Sequence, residues 1–383
     1  MVAHMLVTGI IAIFSAIITA APTEEFTTGR FSVETHYASR NKPLIARGEN
    51  TTVIANPSDS NVHLSPITIG TRTFTLFFDT GSSDLWVFSD QLSKEQAGSH
   101  TLYSPSSEAK ELVDYKWNIT YGDGDQADGN VYTDTVTLGA LKVPSQAVGA
   151  AQSVSTSLTE GTADGILGLG FSSINSIQPN VEPILFDNIK DRLDQPIFAA
   201  ALKYEGSGTY DFGYIDKKKY EGDITYMGVD SSDGFWGVTF DGYEAGDVQT
   251  KSSIKGIIAL TNLTRGSDTG TSLLFLPRDI VEGYYSTVAG SKFDSSLGFW
   301  TYPCSGNSDF ALLVNAYKAI VPAKYINLGA TSEGSSTCVG AIKEMSTSDG
   351  VDAIFGAIFL ASQYVVFDPN KPRVGLAPQV GMK

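Results

Sequence analysis

The tripeptide Asp-Thr-Gly occurs twice in this chain, each time in the same context. Residues 79–83 read DTGSS and residues 268–272 read DTGTS. Each copy is followed by two apolar residues and a glycine, ILG at 166–168 and IFG at 354–356. The aspartate and that glycine are 89 residues apart in the first copy (79 to 168) and 88 in the second (268 to 356). This repeat of order and spacing predicts two homologous lobes.

Two such lobes would bring their equivalent loops together at a pseudo-twofold axis. Asp79 and Asp268 would then lie within hydrogen-bonding distance of each other. Two carboxyl groups that close cannot both ionise readily, so they share a proton over a wide pH range. One carboxylate can take a proton from water while the other carboxylic acid donates a proton to a carbonyl oxygen. The repeat therefore predicts a catalytic carboxyl pair.

The residues after each aspartate suit this arrangement. A glycine lets the backbone approach a carboxylate closely and donate its N–H, and the neighbouring hydroxyl groups can hydrogen-bond to the carboxylates or across the axis. For one copy alone, an ordinary turn would be an equally good interpretation, but two matched copies favour the paired site. The predicted supporting residues are Thr80, Gly81, Ser82, Thr269, Gly270 and Thr271.

Length and composition predict a mainly β protein. The chain has 383 residues, enough for two compact domains, and contains 38 Gly, 17 Tyr and 20 Phe with only 18% charged residues. Short β-branched and aromatic runs separated by turn residues recur from about residue 63 onward. Helical patterns are few, and the best of them lie at 184–193, 277–288 and 310–320.

The charge and the histidine content exclude several kinds of partner. The formal net charge is -16 at pH 7, so the surface repels nucleic acid and anionic membranes. The four histidines do not form a cluster of ligands in the sequence. We therefore expect neither a metal nor a cofactor, and no nucleic-acid or membrane partner.

The N-terminus resembles a secretory signal. An apolar run at 6–18 is followed by small residues, which is typical of a signal peptide over residues 1–20. A membrane anchor is the alternative, although the run is short for one. Three N-x-T sequons, at Asn50, Asn118 and Asn262, also fit secretion. We expect a secreted protein, with an acidic vacuole as the alternative location.

The stretch that follows, residues 21–61, is polar and carries the cations Arg30, Arg40, Lys42 and Arg47 in an acidic chain. It fits an inhibitory propeptide held by charge, and a disordered linker fits equally well. Further on, the chain has two cysteines, Cys304 and Cys338. In an oxidising compartment we expect them to form one disulfide, and two free thiols are the alternative.

Several longer segments resemble the pepsin-like aspartic endopeptidases, in particular the secreted fungal branch of penicillopepsin-like and aspergillopepsin-like enzymes. The resemblance runs from about residue 63 to residue 379. The segments that carry it, besides the second Asp-Thr-Gly, are FFDTGSSDLWV at 77–87, WNITYGDG at 117–124, GILGLG at 165–170, YDFGYID at 210–216 and SQYVVFD at 362–368.

The resemblance implies a bilobal β fold with a central cleft for an extended peptide and a hairpin flap over it. The flap and substrate-binding residues would be Tyr121, Gly122, Asp123 and Trp86, with the Tyr121 hydroxyl bonded to Trp86. Asp123 would accept a lysine before the scissile bond, and Asp125 would add a second carboxylate. Cys304 and Cys338 match the family's disulfide.

The resemblance also implies an organisation and a set of partners. The expected units are a signal peptide at 1–20, a propeptide at 21–61, an N-terminal lobe with the flap at 62–213 and a C-terminal lobe at 214–383. The expected partners are an extended peptide or protein substrate, the chain's own propeptide and pepstatin-type inhibitors. We expect the enzyme to be a monomer.

The sequence departs from the family in three places. Eight residues, 260–267, separate the apolar run 256–259 from Asp268, where relatives commonly have none. A gene-model error, a tolerated loop and a damaging insertion all explain them. Ala357 stands where the family usually has an acid after glycine, and the leader is short, with Lys42 and Arg47 as its candidates for contacting the catalytic pair.

Two functional hypotheses follow. The first is an endopeptidase acting at acidic pH, which both aspartates and Tyr121 favour. The second is a weak or inactive relative that binds peptide or polysaccharide in the same cleft, which the insertion and Ala357 favour.

Overall fold

Strands dominate the structure, a computed structural model that describes residues 31–34, 36–39, 61–204, 206–259, 273–345 and 351–382. Within these ranges the longest α-helix has nine residues, whereas single strands reach 14 residues. The mainly β prediction is therefore confirmed.

The first half of the described chain is built from eleven strands and three short helices. In chain order they are β1 (Phe31–Glu34), β2 (His36–Ser39), β3 (Asn61–Ile69), β4 (Arg72–Asp79), β5 (Leu85–Phe88), α1 (Lys94–Ala97), β6 (Lys110–Thr120), β7 (Gln126–Leu138), β8 (Leu141–Val154), α2 (Thr156–Thr159), β9 (Gly165–Gly168), α3 (Leu185–Ile189), β10 (Phe198–Lys203) and β11 (Gly206–Phe212).

The first half also has two 3-10 turns between β9 and β10, at Ser172–Ile174 and Lys190–Arg192, and the second half continues in the same style. Its elements are β12 (Thr225–Gly228), β13 (Gly237–Ala245), β14 (Val248–Ile258), β15 (Leu274–Leu276), α4 (Arg278–Ser286), β16 (Lys292–Asp294), β17 (Phe299–Pro303), β18 (Phe310–Val314), β19 (Tyr317–Val321), α5 (Ala323–Ile326), β20 (Asn327–Ala330), β21 (Thr337–Gly340), β22 (Ile342–Glu344), β23 (Ile354–Phe355), α6 (Ala357–Ser362), β24 (Gln363–Asp368) and β25 (Arg373–Pro378).

An eight-stranded sheet from the first half carries the first Asp-Thr-Gly motif. Its strand order is β2-β3-β4-β9-β5-β8-β7-β6, so β4 and β9 are neighbours. They run parallel, and Asp79 at the end of β4 lies opposite Gly168, the glycine of the repeat. Because the last four residues of β4, from Leu76 to Asp79, are all buried, the strand ends with Asp79 in the interior.

The second half repeats this pairing in a seven-stranded sheet of order β19-β18-β13-β14-β23-β15-β22. β14 runs parallel to β23, with Ile258 opposite Phe355, the residue before Gly356. The next residue, Ala259, donates its N–H to the Phe355 carbonyl oxygen at 3.4 Å. Ala259 therefore occupies the position that corresponds to Asp79 in the first half.

A six-stranded sheet joins the two halves. Its order is β1-β11-β10-β24-β25-β12, so three strands of the first half lie beside three strands of the second half, and β1 is at one edge. Trp236 of the second half also contacts the first half, because its indole N–H donates to the Leu169 carbonyl oxygen at 2.9 Å. Its ring packs against Phe367 of the six-stranded sheet. The lobe boundary at residue 213 stays a prediction, since this sheet contains strands from either side of it.

The predicted helix at 310–320 is wrong. The segment forms β18 and β19, an antiparallel hairpin in which Val314 pairs with Tyr317. The two residues between them form the turn, and Asn315 adopts a positive φ of 53°. Asparagine is one of the few residues that tolerate this conformation, and hairpins use it in two-residue turns. The predicted helix at 277–288 is confirmed as α4, and that at 184–193 is confirmed only over Leu185–Ile189.

Cys304 and Cys338 form the predicted disulfide, at a sequence separation of 34. It links the chain just after β17 to β21 in a four-stranded sheet of order β16-β17-β21-β20. Among the described helices, none is long and apolar enough to span a bilayer.

Replacing both cysteines by serine should lower the free energy of unfolding by about 3–4 kcal/mol, because the bridge restricts the unfolded chain. Urea unfolding of the double variant beside the parent measures this loss, and reduction of the parent is the matched control. Equal stability of the variant and the parent would show that the bridge contributes nothing.

Candidate active site

Asp79 is completely buried and held by its own loop. The Gly81 N–H donates to Oδ1 at 2.7 Å, and the Ser82 hydroxyl donates to Oδ2 at 2.6 Å. These are the contacts predicted from the DTGSS motif. Burial raises the pKa of Asp79 to about 7, and the two hydrogen bonds, which favour the ionised form, oppose this shift. The carboxyl group is therefore able to hold a proton at mildly acidic pH.

Thr80 reaches from the first half into the second. Its hydroxyl donates to the Ile258 carbonyl oxygen at 3.3 Å, at the end of β14. This contact places the loop after Asp79 directly against the strand that leads to the second motif. The predicted role of Thr80 was a hydrogen bond across the axis between the lobes, and the Ile258 contact has that form.

The hairpin of β6 and β7 covers Asp79 as the expected flap. At its tip the Tyr121 N–H donates to the Asp125 carbonyl oxygen at 2.8 Å, and the Gly124 N–H donates to the Tyr121 carbonyl oxygen at 2.9 Å. The Trp86 indole N–H donates to the Tyr121 hydroxyl at 2.7 Å, which is the predicted hydrogen bond. Burial, then the charge of Asp79, raises the pKa of Tyr121 well above its usual value, so the phenol stays neutral.

The two flap carboxylates point in different directions. Asp123 accepts the Asp125 N–H at 2.8 Å on Oδ1 and is half-buried. Asp125 is buried, and its carboxylate accepts a hydrogen bond from Ser157 of α2. Gln126 next to it donates its N–H to the Ser155 hydroxyl at 2.8 Å. The Ser157–Asp125 hydrogen bond therefore links the flap to α2, and the sequence did not predict it.

A cavity of about 350 Å³ lies between the flap and the two halves of the molecule. The loop after Asp79 contributes Gly81 and Ser82, the flap contributes residues 118–122, and the second half contributes Phe235 and Ile257. Its walls are mostly apolar, with the peptide groups of the flap at one side. Ser82, which donates to Asp79, is one of its lining residues, so the cavity lies beside the buried carboxyl.

Two buried polar groups near Asp79 were not singled out from the sequence. Asp84 accepts the Ser176 N–H and hydroxyl on Oδ1 at 3.0 and 3.1 Å, and no donor among the described residues reaches its buried Oδ2. The Tyr210 hydroxyl, from the six-stranded sheet, is likewise buried without a partner among the described residues. Asp84 belongs to the segment FFDTGSSDLWV at 77–87, but only its burial distinguishes it from an ordinary polar residue.

Replacing Asp84 by Asn should stabilise the protein increasingly as the pH rises from about 4 to about 6. Burial raises the pKa of Asp84 to about 6, so the folded chain holds a proton there that the unfolded chain has already lost. A group whose pKa is raised by folding costs stability as the pH rises through this window. Melting temperatures of Asp84→Asn and the parent at several pH values measure the effect, and a constant difference between them would contradict it.

Several predicted residues lie outside the described part of the chain. They include the whole second motif, so the structure gives no distance between the two aspartates. Ala357, by contrast, is described: it is buried as the first residue of α6, after Gly356. The predicted residues and segments outside the described ranges are Asp268, Thr269, Gly270, Thr271, Asn262, Asn50, Lys42, Arg47, the insertion 260–267 and the signal peptide 1–20.

Within the described residues, no group of three or more histidine, cysteine or acidic side chains is arranged to hold a metal ion. The buried carboxyl of Asp79 beneath a tyrosine-bearing flap, in a β fold whose two halves repeat one strand pairing, suits acid–base chemistry. A family model described as eukaryotic aspartyl protease matches residues 63–379. The chain belongs to that family.

Individual relatives agree with the family model. Penicillopepsin-2 from Penicillium janthinellum is 48% identical over 337 residues, covering 87% of this chain and 82% of its own length. Aspergillopepsin-1 from Aspergillus fumigatus is 48% identical over 320 residues, covering 83% of this chain and 78% of its own. These similarities confirm the resemblance to the fungal branch.

Among solved structures, the aspartic proteinase from Irpex lacteus has a similar fold. It superposes with a TM-score of 0.72 over 92% of this chain and 98% of its own, at 22% sequence identity. This match confirms the bilobal pepsin-like fold that the sequence predicted.

Proposed function

We propose that this chain is an aspartic endopeptidase that hydrolyses peptide bonds in proteins at acidic pH, with Asp79 and Asp268 as its catalytic pair. The observation that carries the proposal is the setting of Asp79. It is a completely buried carboxyl at the end of an apolar strand, held by Gly81 and Ser82 beneath the flap. A group so placed is costly unless it has a chemical role.

The chemistry needs one ionised and one protonated carboxyl group. The ionised member takes a proton from a water molecule, whose oxygen forms a bond to the peptide carbonyl carbon. The protonated member gives its proton to the carbonyl oxygen. When the tetrahedral intermediate collapses, the C–N bond breaks and the leaving nitrogen takes a proton. Sharing of one proton between paired aspartates is the known behaviour of this class of site.

The flap supplies binding and exclusion of water. Tyr121, held by Trp86, and Gly122 line the cavity beside Asp79, and the half-buried Asp123 follows them at the tip of the flap. A half-buried Asp123 carboxylate next to the cleft suits a lysine side chain before the scissile bond. Asp125, turned toward Ser157, holds the flap rather than the substrate.

Residues 21–61 fit a propeptide that stays on the folded body. Within this segment β1 pairs with β11, with Phe31 opposite Phe212, and β2 pairs with β3. Paired strands favour a docked leader over a disordered linker. We infer that a signal peptide at 1–20 directs the chain out of the cell, that the leader is removed from the secreted enzyme, and that the mature enzyme is a monomer with its lobes divided near residue 213.

Hydrolysis of acid-denatured haemoglobin by the processed chain, with and without pepstatin, tests the proposal. We expect cleavage at acidic pH that pepstatin abolishes. Absence of any pepstatin-sensitive cleavage would leave the alternative of a peptide- or polysaccharide-binding relative. The peptidase names of the relatives and the intact setting of Asp79 favour the enzyme over that alternative.

A further inference from the structure

We propose that Asn118 carries an N-linked glycan, and that this glycan stands on the wall of the cleft and restricts access of large protein substrates. The inference rests on the proposed endopeptidase function. It concerns one sequon, Asn118-Ile119-Thr120, which lies on the flap strand β6.

The strand geometry presents both sequon residues on one open face. Side chains alternate along a strand, and here Trp117 and Ile119 are buried whereas Asn118 and Thr120 are exposed. β6 is the edge strand of the eight-stranded sheet, so it has no further strand beside it in that sheet. The acceptor amide and the threonine hydroxyl of the sequon are therefore both accessible.

The same two residues line the cavity beside the active site. Asn118 and Thr120 form its flap-side wall, and Ser82, which bonds to Asp79, lies on the same cavity. The cavity volume is about 350 Å³. A branched oligosaccharide of many sugar rings is larger than this, so a glycan on Asn118 would start at the cavity wall and extend beyond the cavity.

The modification is a group transfer from a lipid-linked oligosaccharide pyrophosphate, the donor of the secretory pathway. A bond forms between the Asn118 side-chain nitrogen and C1 of the first sugar, and the bond from C1 to the pyrophosphate oxygen breaks. The pyrophosphate leaves with the electron pair, and the amide nitrogen loses one proton. The donor acts during entry into the secretory pathway, which the predicted signal peptide would provide.

A glycan at this position affects substrates according to their size. A short peptide occupies the cleft without passing the flap edge, whereas a protein chain continues past it and must displace the sugar chain. Ordering or displacing a flexible group costs free energy on binding. The glycan therefore lowers the rate on protein substrates relative to short peptides.

Two substitutions at one position give a matched test. Thr120→Ser keeps the sequon and Thr120→Ala destroys it, while both leave Asn118 in place. Each chain is secreted from a eukaryotic host, and the mass of the peptide containing Asn118 reports its occupancy. Each is then assayed on casein and on a short peptide, before and after an endoglycosidase that leaves one sugar on asparagine.

We expect a glycan on Asn118 in the parent and in Thr120→Ser, and none in Thr120→Ala. Endoglycosidase should raise the casein-to-peptide ratio of kcat/KM by about fivefold, or about 1 kcal/mol, in the parent and in Thr120→Ser. It should leave the ratio of Thr120→Ala unchanged. Glycans at Asn50 or Asn262 are controlled for, because Thr120→Ala retains those sequons.

Two results would overturn the inference while the endopeptidase function stands. One is an unmodified Asn118 in an active secreted enzyme. The other is a glycan on Asn118 whose removal by endoglycosidase leaves the casein-to-peptide ratio of kcat/KM unchanged. Failure of the endopeptidase proposal itself would be recognised separately, as absence of hydrolysis of both substrates by every chain.

Discussion

Asp79→Asn should lower kcat/KM on a short peptide by about a thousandfold or more, because proton transfer by a positioned group contributes about 10²–10⁴-fold. The substitution keeps the shape of the side chain, and its amide oxygen can still accept from Gly81 or Ser82, which bond to Asp79 in the parent. It removes only the ability to take up and release a proton. The loss should therefore fall on catalysis.

Stability separates this loss from misfolding. Burial raises the pKa of Asp79 to about 7, so ionising it in the folded chain costs stability above the unfolded pKa of about 4. Asp79→Asn should consequently melt no lower than the parent at neutral pH. An inactive variant that also melts far below the parent would point to a structural role, and a variant that keeps most of the parent's activity would remove Asp79 from the mechanism.

Deleting residues 260–267 should raise kcat/KM by about tenfold or more, since a displaced catalytic group costs about a hundredfold. In the first half, the apolar strand β4 ends at Asp79, opposite Gly168. In the second half, Ala259 occupies the corresponding position, and Asp268 follows nine residues later. The deletion joins Asp268 directly to Ala259 and brings it within one residue of the position that Asp79 has.

The measurement compares the deletion variant with the parent on the same short peptide, after both have been processed. A variant that substitutes glycine and serine for residues 260–267 is the matched control, because it keeps the length and changes only the side chains. A deletion variant no faster than the parent would show that the insertion is tolerated and does not impair catalysis by Asp268.

The repeat, the resemblance to the pepsin-like family and the cysteine content predicted the contacts that depend on local motif chemistry. The bonds from Gly81 and Ser82 to Asp79, the Trp86–Tyr121 bond and the disulfide were all predicted and are present. These contacts are made between residues close in sequence or fixed by a motif. They therefore depend little on the exact packing of distant segments.

The parts that the sequence could not supply depend on packing between distant segments. The bond from Ser157 to Asp125 joins α2 to the flap, and Asp84 is distinguished only by its burial. The prediction of a helix at 310–320 was wrong because every residue of Phe310–Val314 is buried. A continuous apolar run has the same sequence pattern in a buried strand and in a buried helix.

The central claim is that Asp79 and Asp268 act as one pair, and the most direct test is kcat/KM for Asp268→Asn measured beside Asp79→Asn and the double variant. Residues that act as a unit are not additive. We predict that either single substitution removes as much activity as the double substitution, so that all three variants share the same small residual rate. An Asp268→Asn enzyme that works at the parent's rate would contradict the account.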